Sequence, residues 1–273
     1  MKVPFKPIGL SVFVLSSVLC GCGDKLPKSD SKEKSKTESG TESQNQSEAV
    51  ISPPSAPALK VKTSEMAIQG RKLIMGIIQA NIDRQGKADP VWPKAAVDAE
   101  GGNDADISER SFKSAIDYFN ALFDMENYGK SEWSPHVEGD LTGMLGKNAV
   151  VGTTIPAAGL DWCIAANLND GMPDFMPVLI SANFNPALLL RKWDGRTDGE
   201  KPLPVGPASG APKSMFGDQA IVVVRKGGAV EVIKAKSLTY DVLYKKQAFD
   251  LTNMKPPFKY LTPTGVVEPI GYK

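Results

Sequence analysis

Few side chains in this 273-residue chain could do covalent or metal chemistry, and their placement narrows the choice further. There is one histidine, His136, between Pro135 and Val137, and there are three cysteines, Cys20, Cys22 and Cys163. Ser-His-Asp or Cys-His catalysis would have to run through His136. No Gly-x-Ser-x-Gly elbow accompanies it, so a loop histidine is the expectation. Cys163 stands in the apolar run Leu160-Asp161-Trp162-Cys163-Ile164-Ala165, which reads as a buried small hydrophobe rather than a reactive thiol. With these ligands, zinc or copper sites of the usual kinds cannot be assembled. Gly143-Met144-Leu145-Gly146-Lys147-Asn148 lacks the spacing and the hydroxyl of a phosphate-cradling loop, and no Gly-x-Gly-x-x-Gly occurs.

Oxygen ligands remain. Asp194-Gly195-Arg196-Thr197-Asp198-Gly199-Glu200 and Asn167-Leu168-Asn169-Asp170-Gly171 each gather acidic or amide oxygens of the type calcium takes. Neither has the EF-hand spacing, and solvated turns account for both. Among 31 acidic residues some pair will lie close together, and nothing in the pattern selects one for acid/base work. The 32 basic residues nearly balance them, so no basic excess points to nucleic acid. The chain is therefore expected to be non-enzymatic, with no catalytic residue, no metal and no cofactor.

The amino terminus carries a different chemistry. Met1 to Lys6 is short and basic, Ile8 to Leu19 has no charge, and Leu19-Cys20-Gly21-Cys22 follows. This is the layout of a secretory signal, and the apolar stretch falls short of the roughly 20 residues a spanning helix needs. Its last residues resemble the bacterial lipobox, with Leu19 third before the cut, small Cys20 and Gly21 next, and Cys22 as the acylated residue. Cys20 is the poorer candidate, because Val18 and Leu19 would crowd the cleavage subsites. An ordinary soluble-secretion signal with two incidental cysteines is the plainer alternative. The lipobox implies a bacterial envelope lipoprotein, tied to a membrane by lipid on Cys22, with its head in the periplasm or at the cell surface. Once residues 1–21 are removed, Cys163 has no partner for an intrachain disulfide.

Residues 22–62 read as the lipidated cysteine and a disordered tether. Gly23 to Ser47 is polar and charged, with one Leu and no aromatic residue, and cannot bury enough apolar surface to offset its ordering entropy. Ser52-Pro53-Pro54-Ser55-Ala56-Pro57 stiffens its end, and a coil of this length spans roughly 35 Å.

Residues 63–273 read as one globular α+β domain. Ser64 is a plausible helix cap, and Ile68, Leu73, Ile74, Ile77, Ile78 and Ile82 recur at helical spacing as far as a stop at Gly86. The pattern predicts a helix over Ser64–Gln85. Asp106-Ile107-Ser108-Glu109 has the form of a capping box before a second helix, whose stripe is Phe112, Ile116, Phe119, Leu122 and Phe123. Trp162 to Asn167 and Pro177 to Phe184 are strand-like. Ala220 to Val224, Gly227-Gly228 and Val230 to Ile233 describe a hairpin with a two-residue turn. Ala220 to Val224 is apolar on both faces, so that strand should be central and covered by a helix. Between Leu188 and Phe216, Pro, Gly and Asp predict long surface loops.

Several pieces, in order, resemble the globular heads of type II secretion pseudopilin-like (prepilin-type) proteins. They are Ile74-Met75-Gly76-Ile77-Ile78-Gln79-Ala80-Asn81, Asp89-Pro90-Val91-Trp92-Pro93-Lys94, Asp161-Trp162-Cys163, Pro177 to Asn185, and Val223 to Ala229. The resemblance implies an amphipathic helix that runs through a glycine or polar turn and a Trp-Pro step into a small antiparallel sheet packed against it, and a binding or assembly role beside envelope or secretion-system proteins. Here a lipoprotein signal stands in place of the prepilin leader and stalk. Two other readings stay open. One is a tethered solute- or polysaccharide-binding module, which an exposed Trp92, Trp133 or Trp193 would favour, since sugars stack on aromatic faces. The other is a carboxylate- or calcium-dependent enzyme using the acidic loops at 167–171 or 194–200.

Overall fold

The computed structural model describes residues 55–83, 92–96, 110–128, 137, 139–156, 158–169, 171–190, 199–207, 217–247, 251 and 256–267. All of them fall in one compact unit, Ile51–Lys273. The fold is α+β, with helices beside a six-stranded antiparallel sheet.

The first helix, α1, runs over Ala56–Asp83 and so begins inside the segment expected to be tether. Pro57 is the reason. In a first turn its missing N–H leaves no acceptor unsatisfied and its fixed φ suits the helix. Ser55 O accepts from Leu59 N at 2.9 Å, so the chain turns helical at Ser55 rather than at Ser64. Ser64 is an exposed residue inside the helix, and the neighbouring Thr63 hydroxyl is buried and donates to Leu59 O and Lys60 O. Gly86, the expected stop, lies outside the described residues.

Lys94–Ala95 (β1) and Ser111–Phe112 (β2) form a small parallel pair. Helix α2 spans Ala115–Phe123, and its cap is Ser114, whose hydroxyl accepts from Asp117 N. The expected box at Asp106–Glu109 lies outside the described residues, and Phe112 belongs to β2 rather than to the helix. Ser114 and Asp117 have the same three-residue spacing and sit next to the aromatic stripe, which is buried as expected except that Ile116 is half-buried. Helix α3 (Leu141–Leu145) is capped by Asp140, which accepts from Thr142 N at 3.0 Å and from the Thr142 hydroxyl at 2.6 Å. These bonds hold the Asp140 carboxyl below its usual range. The glycine at its C-cap, Gly146, has a structural cause, since a Cβ there would stand 2.3 Å from Gly159 O.

The sheet is built from β3 (Trp162–Ala166), β4 (Pro177–Ser181), β5 (Ala220–Arg225), β6 (Val230–Lys234), β7 (Lys259–Thr262) and β8 (Gly265–Val267). Its order is β6-β5-β4-β3-β7-β8, so β6 and β8 are the edges. A register shift between Pro177 and Leu179 marks a bulge in β4. The β5–β6 turn is one residue longer than expected. Gly228 N donates to Arg225 O and Arg225 N to Ala229 O, which leaves Lys226, Gly227 and Gly228 in the loop. Gly228, at φ 82°, takes the left-handed position of a turn-plus-bulge connection, a conformation that favours glycine.

Register fixes the two faces of the sheet. Trp162, Ile164, Leu179, Val222, Val224, Val230 and Val232 share one face; Cys163, Ile180, Val223, Arg225, Glu231 and Tyr260 share the other. Helix α1 lies on the first face, against β5 and β6, with α3 at its side. Contact is closest at Gly70, where a Cβ would stand 2.6 Å from Trp162 Cη2 and 2.8 Å from Val224 Cγ2. Trp162 cannot turn away easily, because its Nε1 donates to Met144 O at 2.7 Å.

Candidate functional site

Most of the residues singled out from the sequence lie outside the described ones. These are Cys22, Trp133, His136, Asp170, Trp193, Asp194 and Asp198. Trp92 is described, and it is buried, so its ring is not open for sugar stacking. Asn167, from the first acidic cluster, is also buried. It sits at φ 61°, its Oδ1 accepts from Ala95 N at 3.1 Å and its Nδ2 donates to Pro257 O at 2.6 Å. Asn167 thereby fastens β1, β3 and the approach to β7, which explains an amide at that position without a cation. Among the described residues no group of three or more His, Cys, Asp and Glu stands together.

Cys163 is buried on the second face of the sheet, and desolvation pushes its thiol up to about 12. At neutral pH such a thiol is protonated and shielded, the opposite of an activated nucleophile. Tyr260 shares the face; burial first, then Tyr244 and Cys163, push its hydroxyl up against the opposing pull of Arg225.

Arg225 is the least expected member of this cluster, because it is 2% exposed. Its Nη1 donates to Leu243 O at 2.7 Å and to Phe175 O, while Nη2 donates to Glu231 Oε2 at 2.8 Å and to Val242 O at 3.1 Å. Lys245 pairs with the other Glu231 oxygen. Partial burial alone would raise the Glu231 carboxyl, but the hydrogen bonds and charges of Arg225 and Lys245 outweigh it and hold the group below its usual range. Nearby, the Tyr244 hydroxyl donates to Leu189 O at 2.8 Å and the Tyr260 hydroxyl to Pro177 O at 2.7 Å. The two terminal nitrogens of Arg225 and the tyrosine hydroxyls bond to main-chain carbonyls and to one carboxylate, while the buried Arg225 Nε has no hydrogen-bond partner among the described residues. Its chemistry is that of a clasp, which ties β5 to the helix Tyr240–Leu243 (α4) and to the turn before β4.

Asp161, just before β3, is a half-buried carboxyl that desolvation alone pushes up. Among the described residues no neighbouring charge contributes to that shift.

The outward side of α1 is a different kind of surface. Val61, Ile68, Met75 and Ile82 are 57%, 60%, 53% and 51% exposed. They lie seven residues apart, two helical turns, and so form one ridge along about 31 Å. The sequence placed Ile68 and Ile82 in the buried stripe with Leu73, Ile74 and Ile77; the structure separates them. Both sets fit a helical period, but the buried side of the helix is the one carrying Met66, Gly70, Leu73, Ile74 and Ile77. Lys60, Glu65 and Arg71 flank the ridge in solvent, and Lys72 is half-buried beside it. Next to α1, Val232 on edge strand β6 is 42% exposed on the same face of the sheet. Among the described residues no helix is long and apolar enough to cross a membrane.

The chain matches no protein-family model, no curated protein and no solved structure.

Proposed function

We propose that this chain is a bacterial envelope lipoprotein, held to a membrane by lipid on Cys22, whose α+β head is a non-enzymatic binding or assembly component related to type II secretion. The observation that carries the anchor is Leu19-Cys20-Gly21-Cys22 at the end of a basic and then apolar leader. Two or three acyl chains at about 0.8 kcal/mol per buried CH2 hold a protein on a bilayer stably. The pseudopilin-like character of the head rests on the order of the sequence pieces from Ile74 to Ala229. A binding role is also favoured by what the described part presents to solvent, an apolar ridge rather than converging reactive groups.

The anchor is tested by mass spectrometry of the amino-terminal peptide together with Cys22→Ser. An acylated Cys22 in the mature chain, and an uncleaved or mislocalised Cys22→Ser precursor, are expected. A Cys22→Ser chain that still matures and partitions as wild type, or a native Cys22 without lipid, overturns it. The assembly role is tested by pull-down from crosslinked envelopes. Enrichment of secretion-system components supports it, and their absence from the captured set argues against it.

A further inference from the structure

We propose that the outer ridge of α1 is a docking surface for an anionic lipid bilayer, so that the head lies against the membrane instead of standing off it; this rests on the lipid-anchor reading of Cys22. The first reason is the helix itself. A surface helix ordinarily pairs one apolar stripe with one polar face, whereas α1 is apolar on two sides. One side is spent on Trp162 and Val224, and the other carries Val61, Ile68, Met75 and Ile82 into solvent.

The second reason is charge. The helix carries four cations, Lys60, Lys62, Arg71 and Lys72, against Glu65 and Asp83, and Lys60, Arg71 and Lys72 are the ones that border the ridge. An apolar ridge edged by cations is the pattern of a helix lying in a membrane interface. The same charges disfavour a second copy as occupant. Antiparallel pairing that matched Val61 with Ile82 and Ile68 with Met75 would bring Arg71 and Lys72 of both copies to the two-fold axis. Parallel pairing would stack each cation on its own equivalent.

The third reason is reach. Some 33 residues separate Cys22 from Ser55, where α1 starts. A polar chain of that length spans roughly 30 Å, about the length of the ridge, so an anchored head meets the bilayer at high effective concentration. Weak contacts then suffice.

The test uses the mature lipidated protein with Ile68→Cys carrying an environment-sensitive fluorophore; Cys163 is buried and does not compete for the label. The probes are vesicles of phosphatidylcholine alone and vesicles with added phosphatidylglycerol. A blue shift in the anionic vesicles, absent in the neutral ones and reversed by salt, is expected. Removing charge at Lys60→Gln, Arg71→Gln and Lys72→Gln together should weaken docking roughly 100-fold, from about fivefold per cation, with the melting temperature unchanged. No shift in anionic vesicles, or an equal shift in both kinds, overturns the proposal. So does a shift without vesicles that grows with protein concentration, which would mean that a second copy covers the ridge. Because an unacylated Cys22 would also take the label, peptide mapping first places the fluorophore at position 68 alone, and the mass of Cys22 then reports the anchor separately. Acyl mass without a shift sinks docking alone, and a shift without acyl mass sinks the anchor alone.

Discussion

Leu73, Ile74 and Ile77 on one side of α1, and Val61, Ile68, Met75 and Ile82 on the other, are the same kinds of side chain on one helix. The first group is fully buried and the second is more than half exposed. Composition does not distinguish them; what lies opposite does. The inner side carries Gly70, which lets the helix close on Trp162 and Val224 with no intervening Cβ. The outer side has apolar residues without that complementary surface. Burial is thus a property of a pair of surfaces, and a helix that is apolar on two sides presents two surfaces, of which the sheet covers one.

The sharpest way to break this comparison is to put the same charge on each side. Ile77→Asp would bury an unpaired carboxylate and should cost about 4 kcal/mol or more, a large part of the ~5–15 kcal/mol that holds an ordinary domain together. Ile68→Asp should stay within about 0.5 kcal/mol of wild type. Thermal melts of the two variants check this, and similar midpoints would mean that α1 does not pack by the side described.

Arg225→Met tests whether the second face of the sheet depends on its clasp. It strips donors from Phe175 O, Val242 O and Leu243 O and leaves Glu231 without its main partner, at a cost of about 3 kcal/mol. Glu231 also gives the clasp a pH signature. Its folded pKa is depressed, so its contribution is present above the unfolded carboxylate pKa and is lost as pH falls through the folded value. Wild type should therefore lose stability toward acid more steeply than Glu231→Gln, as denaturant titrations in the acid range would read. Equal slopes would mean that the ion pair contributes nothing.

Gly70→Ala is a smaller and more local test. In an exposed helix the change gains about 1 kcal/mol, but here the new methyl meets Trp162, held by its bond to Met144 O, and Val224. Overpacking of about 1–3 kcal/mol should outweigh the gain, so the melting temperature should fall. A rise would show that α1 sits further from the sheet.

The same two-sidedness limited what the sequence could convey. The strands at Trp162, Pro177 and Ala220 were legible because short apolar runs bounded by turn residues, the last of them β-branched, have few other uses. A buried Cys163 was legible from its apolar neighbours. The phase of α1 was not, because Ile68 and Ile82 fit a helical period as well as Leu73 and Ile77 do. Its start was obscured by Pro57, which reads equally as the end of a stiff linker and as a first helical turn. The Gly227-Gly228 pair fits both a two-residue turn and the three-residue loop that forms. The β7–β8 hairpin went unread because each strand is short and the turn Pro263-Thr264 offers a weak signal. Arg225 looked like the polar end of a strand. Its burial depends on carbonyls at Phe175, Val242 and Leu243, far away in sequence, which no local pattern encodes. Of the candidate site, Cys22 lies outside the described residues and rests on its four-residue context, whereas the ridge of α1 emerged only once the sheet had claimed the other side.

The account turns on which residues of α1 face outward, and single-cysteine scanning along the helix tests that directly. Thiol labelling of the native protein, without vesicles, should be fast at positions 61, 68, 75 and 82. At 66, 73, 74 and 77 it should be as slow as at Cys163. Rates that are uniform along the helix, or that peak at 73 and 77, would contradict it.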